Sequence, residues 1–169
     1  VLDSFGNDGL VLLQNETNLV GYIMDKAYEK GLQIALNAAP MNEKVLSYPL
    51  EKLTWLVVNE VEGKQIAGCE KDEDILDVLK ERYPKCKILL TLGSNGACCF
   101  DGEKTYSIGC YKVDVVDTTA AGDTFNGALC VGLSEGMDLK QAAVMASKAS
   151  SIAVTRMGAQ SSIPYREEL

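Results

Sequence analysis

Residues 10–36 read LVLLQNETNLVGYIMDKAYEKGLQIAL, which is two short apolar runs with a longer stretch of helical spacing between them. The runs at residues 10–13 and 32–36 have the length and composition of buried strands. Residues 17–30 place their apolar side chains on one helical face, and Gly31 follows as a typical helix stop. This order predicts a βαβ unit, whose two strands are parallel.

The alternation of strand-like and helical segments continues toward the middle of the chain. Residues 54–58 and 88–92 are further apolar runs that suit buried strands. Between them, residues 71–84 read KDEDILDVLKERYP, with acids at the start, bases near the end and a proline beyond them, as expected of a helix. We therefore expect an α/β fold with a largely parallel sheet, in a single domain over residues 1–169.

The last part of the chain has a different pattern. Residues 97–108 predict a β-hairpin that turns at Asp101-Gly102. Helices are expected from about residue 122 to 135 and from about 138 to 154, on the basis of apolar spacing. The run YKVDVVD at residues 111–117 is interpreted as one more strand, which ends at Asp117.

Composition excludes several classes of function. A formal charge of −8 disfavours nucleic acid as a partner, because phosphate backbones are bound by basic surfaces. The absence of histidine rules out Ser-His-Asp triads, Cys-His pairs and histidine-bound zinc within these residues. The six cysteines have no metal-like spacing, so we expect reduced core thiols rather than disulfides or ligands.

The same sequence carries no sign of a membrane or secretory segment. No apolar run approaches the roughly 18 residues that span a bilayer, and no basic segment is followed by an apolar one. We therefore expect no membrane association and a cytoplasmic protein. The chain begins with Val1 rather than Met, as a piece of a longer protein would.

Polar residues follow the run at residues 54–58. Asn59, Glu60 and Glu62 supply an amide and two acids at the carboxyl end of a predicted strand. Such a set can hold a hydrated magnesium ion, which keeps most of its waters and orients phosphate oxygens through them. The alternative, which spacing alone favours, is that Asn59 caps a helix whose first turn carries the acids.

A glycine-containing segment follows the run at residues 88–92. Gly93-Ser94-Asn95-Gly96 has side chains small enough for a nucleotide phosphate or ribose to approach the backbone closely. A plain turn after a strand is the default alternative, because such turns are common.

The stretch DTTAAGDTFNGAL at residues 117–129 makes the strongest case for catalysis. The Ala-Ala-Gly at residues 120–122 has almost no side chains, so we expect the amides that begin the next helix to form an anion hole. Asp123 is interpreted as a general base that takes a proton from a substrate hydroxyl, in preference to a structural cap. Asp117 either binds a cation or forms an Asx turn, and the sequence favours neither.

These motifs resemble those of a known family. DTTAAGDTFNGAL resembles the second signature of the ribokinase-like (pfkB) carbohydrate kinases. NAAP, NEVE and TLGSNG follow the second, third and fourth strands in that family's order, and AVTRMGAQSSIPYREEL resembles the C-terminal end of its ribose-phosphorylating members. The resemblance covers essentially the whole chain. It implies a ribokinase-like three-layer α/β/α fold from which the N-terminal part and the β-sheet lid are absent.

The resemblance also implies an activity, which is ATP-dependent phosphorylation of the 5-hydroxyl of D-ribose. Asp123 is the implied base, beside an anion hole of Ala120, Ala121 and Gly122. The implied nucleotide-binding residues are Asn59, Thr91, Leu92, Gly93, Ser94, Asn95, Gly96, Gly122 and Ser147. The implied metal sites are Glu62 for magnesium through water, and Asp117, Thr119, Ala153, Arg156, Gly158 and Ser162 for an activating potassium ion.

Two alternatives stay open beside the ribose kinase. The acceptor could be fructose, a ketodeoxy sugar acid or a nucleoside, because the family's sugar contacts lie mainly in the part that does not precede Val1. The chain in isolation could also be a non-catalytic nucleotide-binding module. For the intact protein, the family's lid implies a homodimer.

Overall fold

The computed structural model describes residues 2–4, 6 and 8–169. Four parallel strands pair in chain order, and each lies within one residue of its predicted run. They are β1 (Leu10–Gln14), β2 (Gln33–Asn37), β3 (Trp55–Asn59) and β4 (Lys87–Thr91). The carboxyl ends of neighbouring strands are level, since Gln14 is the partner of Asn37 and Asn59 is the partner of Thr91. The predicted α/β fold with a largely parallel sheet is confirmed.

The chain divides into two compact units. The first contains the described residues up to Thr91 together with Phe100–Thr105, and the second contains Leu92–Cys99 and Tyr106–Leu169. The single-domain organisation expected from the sequence stays a prediction.

Three helices belong to the first unit. They are α1 (Val20–Glu29), α2 (Glu60–Ala67) and α3 (Asp72–Arg82). α3 matches its predicted segment and buries Ile75, Leu76 and Leu79. A Cβ atom on Gly63 of α2 would lie 2.7 Å from Ile75, so this glycine allows α2 and α3 to pack closely.

Helix α1 begins at Val20, three residues later than predicted. The chain that follows β1 is held by Asn15 instead. The backbone amide of Asn15 donates to the carbonyl of Ala39 at 2.8 Å, and its side-chain amide donates to the carbonyl of Pro40 at 2.7 Å. The buried hydroxyl of Tyr48 donates to the side-chain oxygen of Asn15 at 2.6 Å. These tertiary contacts override the helical spacing of residues 17–19.

The predicted hairpin is present as β5 (Ala97–Phe100) and β6 (Thr105–Ile108), which are hydrogen-bonded neighbours. Its turn lies at the predicted dipeptide. The backbone amide of Asp101 donates to the carbonyl of Lys104 at 3.1 Å, and the Asp101 carboxylate accepts from the amides of Glu103 and Lys104. An aspartate that binds the next backbone amides is a common turn device.

The second unit contains the two long helices, α4 (Ala121–Ser134) and α5 (Leu139–Ala153), each within one residue of its predicted bounds. Asp138 caps α5 reciprocally with Gln141. The helices meet at Gly132, where a Cβ atom would lie 3.1 Å from that of Ala142. Small residues at this crossing therefore bring α4 and α5 close together.

The strand expected at residues 111–117 is wrong. This segment has no regular structure, and residues 111–116 are exposed. Its end is attached to α5, since the backbone amides of Val116 and Asp117 both donate to the carbonyl of Val154, at 2.8 and 3.2 Å. The alternating valines gave a strand pattern, but the segment is paired with a helix end rather than with a strand.

All six cysteines lie among the described residues and are free thiols, as expected, but only Cys86 and Cys99 are buried, and the expected core position is wrong for the exposed Cys110. Burial raises the pKa of the Cys86 and Cys99 thiols to about 12 and that of Cys130 to about 11, so these three are held in the unreactive thiol form. Within the described ranges, no helix has both the length and the apolar character needed to cross a membrane.

Candidate active-site residues

Asn59 and Glu62 form a reciprocal pair where β3 leads into α2. The side-chain oxygen of Asn59 accepts from the backbone amide of Glu62 at 2.9 Å. The Glu62 carboxylate accepts from the backbone amide and from the side-chain amide of Asn59, both at 3.0 Å. The helix cap that the spacing favoured is therefore present, and it also fixes the orientation of the carboxylate.

The carboxylate of Glu62 is unusually buried, with 6 % of the residue exposed. Burial raises its pKa, and the hydrogen bond from the Asn59 backbone amide opposes that shift. Thr91 lies beside this pair as the strand partner of Asn59, and its hydroxyl donates to the carbonyl of Val58 at 3.3 Å. The structure thus brings Asn59, Glu62 and Thr91 together at one edge of the first unit.

This edge fits a magnesium ion held through water better than one held directly. Among the described residues, no group of three or more His, Cys, Asp or Glu side chains could enclose a metal ion. One oriented carboxylate with an adjacent amide, as in Glu62 and Asn59, is enough for a hydrated ion, because magnesium exchanges few of its waters for protein oxygens.

Two further amides lie on the same edge and were missed by sequence reasoning. The side-chain amide of Gln14 donates to the side-chain oxygen of Asn37 at 3.3 Å, and Asn37 in turn reaches the carbonyl of Val57 at 3.5 Å. The sequence contained a signal for them, since each amide is the last residue of its strand and follows a run of apolar residues. Polar groups therefore continue along the carboxyl ends of β1, β2 and β3.

In the second unit, the segment after β4 is a tight turn. Residues Gly93–Asn95 form one turn of 3-10 helix, which is closed by a hydrogen bond from the Leu92 amide to the Gly96 carbonyl at 2.8 Å. Gly96 has a φ of +88°, and a Cβ atom there would lie 2.0 Å from the carbonyl oxygen of Ile108. Gly96 is therefore required by the hairpin, whatever else the turn does.

A cavity of about 680 Å³ in the second unit joins this turn to the start of α4. It is lined by Gly93, Ser94, Cys110, Tyr111, Lys112, Val113, Val115, Thr118, Ala121, Ser150, Ser151 and Val154. Its valine side chains offer an apolar surface, and its hydroxyl groups and one lysine offer polar contacts. This mixture suits a ligand with a flat apolar part and a polar or charged part.

Ser147 does not line this cavity. Its hydroxyl donates to the carbonyl of Gly109 at 3.3 Å, and the residue is buried. One turn further along α5, Ser150 and Ser151 do line the cavity, and sequence reasoning missed both. Serines in the middle of a helix are a usable signal, because serine is not among the strong helix formers.

Asp117 is fully engaged by backbone amides. One carboxylate oxygen accepts from the amide of Thr119 at 2.9 Å, which is an Asx turn, and the other accepts from the amide of Gly158 at 2.9 Å. Hydrogen bonds from the Thr119 side chain, the Gly158 amide and the Thr119 amide lower the pKa of Asp117. The carboxylate therefore keeps its charge and joins the loop before α4 to the loop after α5.

The other residues expected at the potassium site lie near one another in sequence, at the end of α5 and shortly after it. The amide of Arg156 donates to the carbonyl of Ala153 at 3.0 Å, and the Ser162 hydroxyl donates to the carbonyl of Ala159 at 2.7 Å. Ser162 is completely buried. Among the expected residues, direct contacts join Asp117 to Thr119 and Gly158, and Ala153 to Arg156.

The turn that precedes α4 contains Ala120 in the left-handed conformation, with φ 60° and ψ 13°. This conformation is costly for a residue with a Cβ atom. It closes a turn in which the amide of Ala121 donates to the carbonyl of Thr118 at 3.2 Å. The Ala121 amide is therefore used within the turn, contrary to the expectation that it stands open.

The space in front of the helix start is open at the next residue. Gly122 is exposed, and a Cβ atom there would meet no atom within 4 Å. Asp123 is also exposed and lies in the first turn of α4. A carboxylate thus stands beside a bare helix start, where the helix dipole and the early amides favour an anion.

The fold and these residues define a sugar kinase family. Residues 14–166 match the pfkB family of carbohydrate kinases, and the chain belongs to that family. Within it, the chain is 35 % identical to the ribokinase of Lactococcus lactis over 164 residues, which cover 95 % of this chain and 52 % of that protein. The chain spans about half the length of the curated relatives it matches.

Solved structures of ribokinases have the same fold. The ribokinase of Arabidopsis thaliana, complexed with ribose and ATP, is 29 % identical with a TM-score of 0.82, over 95 % of this chain and 54 % of that one. The ribokinase of Cryptococcus neoformans, in complex with ADP, is 29 % identical with a TM-score of 0.86, over 99 % of this chain and 60 % of that one.

Proposed function

We propose that the natural protein containing this chain is an ATP-dependent kinase that phosphorylates the 5-hydroxyl of D-ribose. The observation that carries the proposal is the start of α4, where the exposed carboxylate of Asp123 follows the left-handed turn at Ala120 and the bare Gly122. Phosphoryl transfer requires mainly a positioned nucleophile and stabilisation of phosphate charge, and this arrangement supplies both.

In the proposed reaction, Asp123 takes the proton of the acceptor hydroxyl. The hydroxyl oxygen then forms a bond to the γ-phosphorus of ATP, and the bond from that phosphorus to the β-γ bridging oxygen breaks, which releases ADP. Backbone amides at the start of α4, with Gly122 at their centre, stabilise the charge on the transferring group. The cavity lined by Gly93, Ser94 and Ala121 would hold the nucleotide.

Magnesium and potassium are part of the proposal. In the first unit, Glu62 and Asn59 would orient the waters of a magnesium ion, whose charge would neutralise phosphate charge. In the second unit, the charged carboxylate of Asp117 would attract potassium, with carbonyls of Thr119, Ala153, Arg156 and Gly158 and the buried Ser162 as further oxygen donors. Because Asp117 ties two loops together, occupancy of this site would steady the turn before α4.

Ribose is proposed as the acceptor because the relatives named above are ribokinases, one of them complexed with ribose and ATP. Fructose, a ketodeoxy sugar acid or a nucleoside is the alternative acceptor within the family. A cytoplasmic location and a homodimer are proposed for the intact protein. A panel of these acceptors with ATP and the full-length protein would decide, and a clear preference for fructose would overturn the ribose assignment.

The role of Asp123 is tested by Asp123→Asn in the full-length protein. We expect kcat to fall at least about 100-fold, because general-base catalysis contributes that much or more. Asp114→Asn is the matched control, since Asp114 is also an exposed carboxylate near the loop but precedes it. An Asp123→Asn enzyme with wild-type kcat would refute the assigned base.

A non-catalytic nucleotide-binding role is the second candidate for residues 1–169 in isolation. An acceptor site that stays open to water weakens the electrostatic stabilisation that the reaction needs. We expect this chain alone to bind ATP weakly and to turn over negligibly. Robust ribose phosphorylation by residues 1–169 would contradict this expectation.

A further inference from the structure

Ser150, in the last turn of α5, makes a hydrogen bond that serine within a helix seldom makes. Such a serine commonly binds the carbonyl one turn earlier in its own helix or faces solvent. Here the Ser150 hydroxyl, on α5, donates to the carbonyl oxygen of Ala121 in the first turn of α4, at 3.0 Å. The bond therefore connects two helices, and it does so at the helix start that carries Asp123.

The same face of α5 forms part of the cavity wall. Ser150 and Val154 line the cavity together with Ala121 and Thr118. The carbonyl of Val154 accepts from the backbone amides of Val116 and Asp117, just before the turn. The end of α5 thus holds the chain on both sides of the left-handed Ala120: the C-cap Val154 binds the residues that precede it, and Ser150 binds the residue that follows it.

The turn needs such support because it is intrinsically unfavourable. Ala120 adopts a positive φ without the freedom of glycine, and as the N-cap residue of α4 it has no side-chain oxygen that could accept from the first amides. Alternative settings of the first turn would move Gly122 and Asp123 together. A contact that fixes Ala121 against α5 selects one setting, and small displacements of catalytic groups reduce rate strongly.

We propose that Ser150 is a positioning residue for phosphoryl transfer, which holds the first turn of α4 in register with the nucleotide cavity. This inference rests on the proposed kinase function. Ser150 acts through Ala121 and takes no proton itself. Its loss is expected to affect the transition state more than the binding of either substrate, because the hydroxyl is already used within the protein.

The test compares three variants of the full-length protein in steady-state kinetics with ATP and ribose. Ser150→Ala is expected to lower kcat about fivefold, the factor that corresponds to one ordinary hydrogen bond, with the KM for ribose changed less than about twofold. Ser150→Thr keeps the hydroxyl and is expected to recover most of kcat. Ser134→Ala is the matched control, because its hydroxyl donates to the Val131 carbonyl at the opposite end of α4; its kcat is expected to stay at the wild-type value.

A Ser150→Ala enzyme with wild-type kcat would overturn the proposal. So would an equal loss of kcat in the Ser134→Ala control, or a failure of Ser150→Thr to exceed Ser150→Ala.

Amide hydrogen exchange of the same proteins without ligands separates this inference from the kinase assignment. In Ser150→Ala, the amides of Ala121 and Thr124, which donate to the carbonyls of Thr118 and Ala120, are expected to exchange about fivefold faster than in the Ser134→Ala protein. Equal exchange in the two would overturn the positioning role even for an inactive protein. A further outcome is that the wild type shows no ATP-dependent phosphorylation while the expected difference in exchange is observed. That result would overturn the kinase assignment and support the role of Ser150 in fixing the turn.

Discussion

Ala120 has a backbone conformation that a residue with a Cβ atom disfavours. Its φ of 60° lies in the left-handed region, where the Cβ atom costs about 1–2 kcal/mol. Ala120→Gly is expected to raise the free energy of unfolding by about 0.5 kcal/mol, because relief of this strain exceeds the added entropy of the unfolded chain. Urea unfolding measures the change.

The control for Ala120→Gly is the same substitution at Ala128, in the interior of α4. There it is expected to lower the free energy of unfolding by about 1 kcal/mol, since glycine disfavours a helix interior. Equal destabilisation at both positions would contradict the strained turn. Opposite signs would show that Ala120 is retained against a stability cost, as is common at functional sites.

The hydrogen bonds to the Asp117 carboxylate predict that the stability of the folded protein depends on pH. Its pKa is lowered from 3.8 by hydrogen bonds from the Thr119 side chain, the Gly158 amide and the Thr119 amide. A carboxyl whose pKa is depressed on folding contributes stability that is present above its unfolded pKa and lost as the pH falls through the folded value. We expect wild-type stability to fall as the pH is lowered below 3.8, and Asp117→Asn to remove part of that slope.

The matched control for Asp117 is Asp114→Asn, in the same exposed segment. Unfolding midpoints measured across the acid range should give the wild-type slope for this control. If Asp117→Asn leaves the slope of stability against pH unchanged, the amides of Thr119 and Gly158 do not stabilise the charged form of Asp117.

At the scale of elements, two helices begin with the same motif in different surroundings. Asn59 and Glu62 cap α2, and Asp138 and Gln141 cap α5. Asn59→Ala is expected to cost more than the roughly 1 kcal/mol of an ordinary cap. Loss of the Asn59 side chain also leaves the buried Glu62 carboxylate without a side-chain donor. The corresponding residue of α5, Gln141, is exposed and can bind water instead.

Thermal or urea unfolding of Asn59→Ala and Asp138→Ala tests this comparison. The Asp138→Ala protein serves as the matched control, because it loses a helix cap but leaves no buried carboxylate without a hydrogen-bond donor. Equal losses of stability would indicate that Glu62 finds replacement partners, and would remove the argument that Asn59 specifically orients this carboxylate.

The elements also show where sequence reasoning succeeds and fails. Strands β1 to β4 were predicted within one residue because each contains a continuous apolar run, which burial on both faces explains for β2 to β4. The segment at residues 111–117 also has a strand-like pattern, of alternating valines, but its amides pair with the end of α5, a tertiary contact that periodicity does not contain. Element type follows from local pattern, and partners do not.

The candidate site was predictable to a similar degree. The cap at Asn59 and the Asx turn at Asp117 follow from spacing, because each links residues within one turn. Ser150 could not be assigned to Ala121, which is 29 residues away, and the bond from Asp117 to Gly158 spans 41 residues. Contacts across such distances depend on the packing of α4 on α5 and of the loops at their ends.

At the scale of the whole molecule, the six free cysteines differ in exposure, and one of them, Cys110, lines the cavity that is proposed to hold the nucleotide. Cys110 is exposed and lines the cavity, whereas Cys86 and Cys99 are buried with pKa values raised to about 12. A thiol reagent is expected to modify Cys110 quickly in the folded protein, and Cys86 and Cys99 only after unfolding. Mass spectrometry of the modified peptides over time measures each rate.

ADP should slow the modification of Cys110 if the cavity holds the nucleotide, because a bound ligand covers the wall that carries this thiol. Cys69 is the internal control: it is half-buried, belongs to the first unit and does not line the cavity, so its rate should not change. Cys110 modification that ADP leaves unchanged, in a protein that calorimetry shows to bind ADP, would contradict the placement of the nucleotide in this cavity. Such a result would also remove the proposed link between Ser150 and nucleotide binding, but it would not affect the hydrogen bond from Ser150 to Ala121.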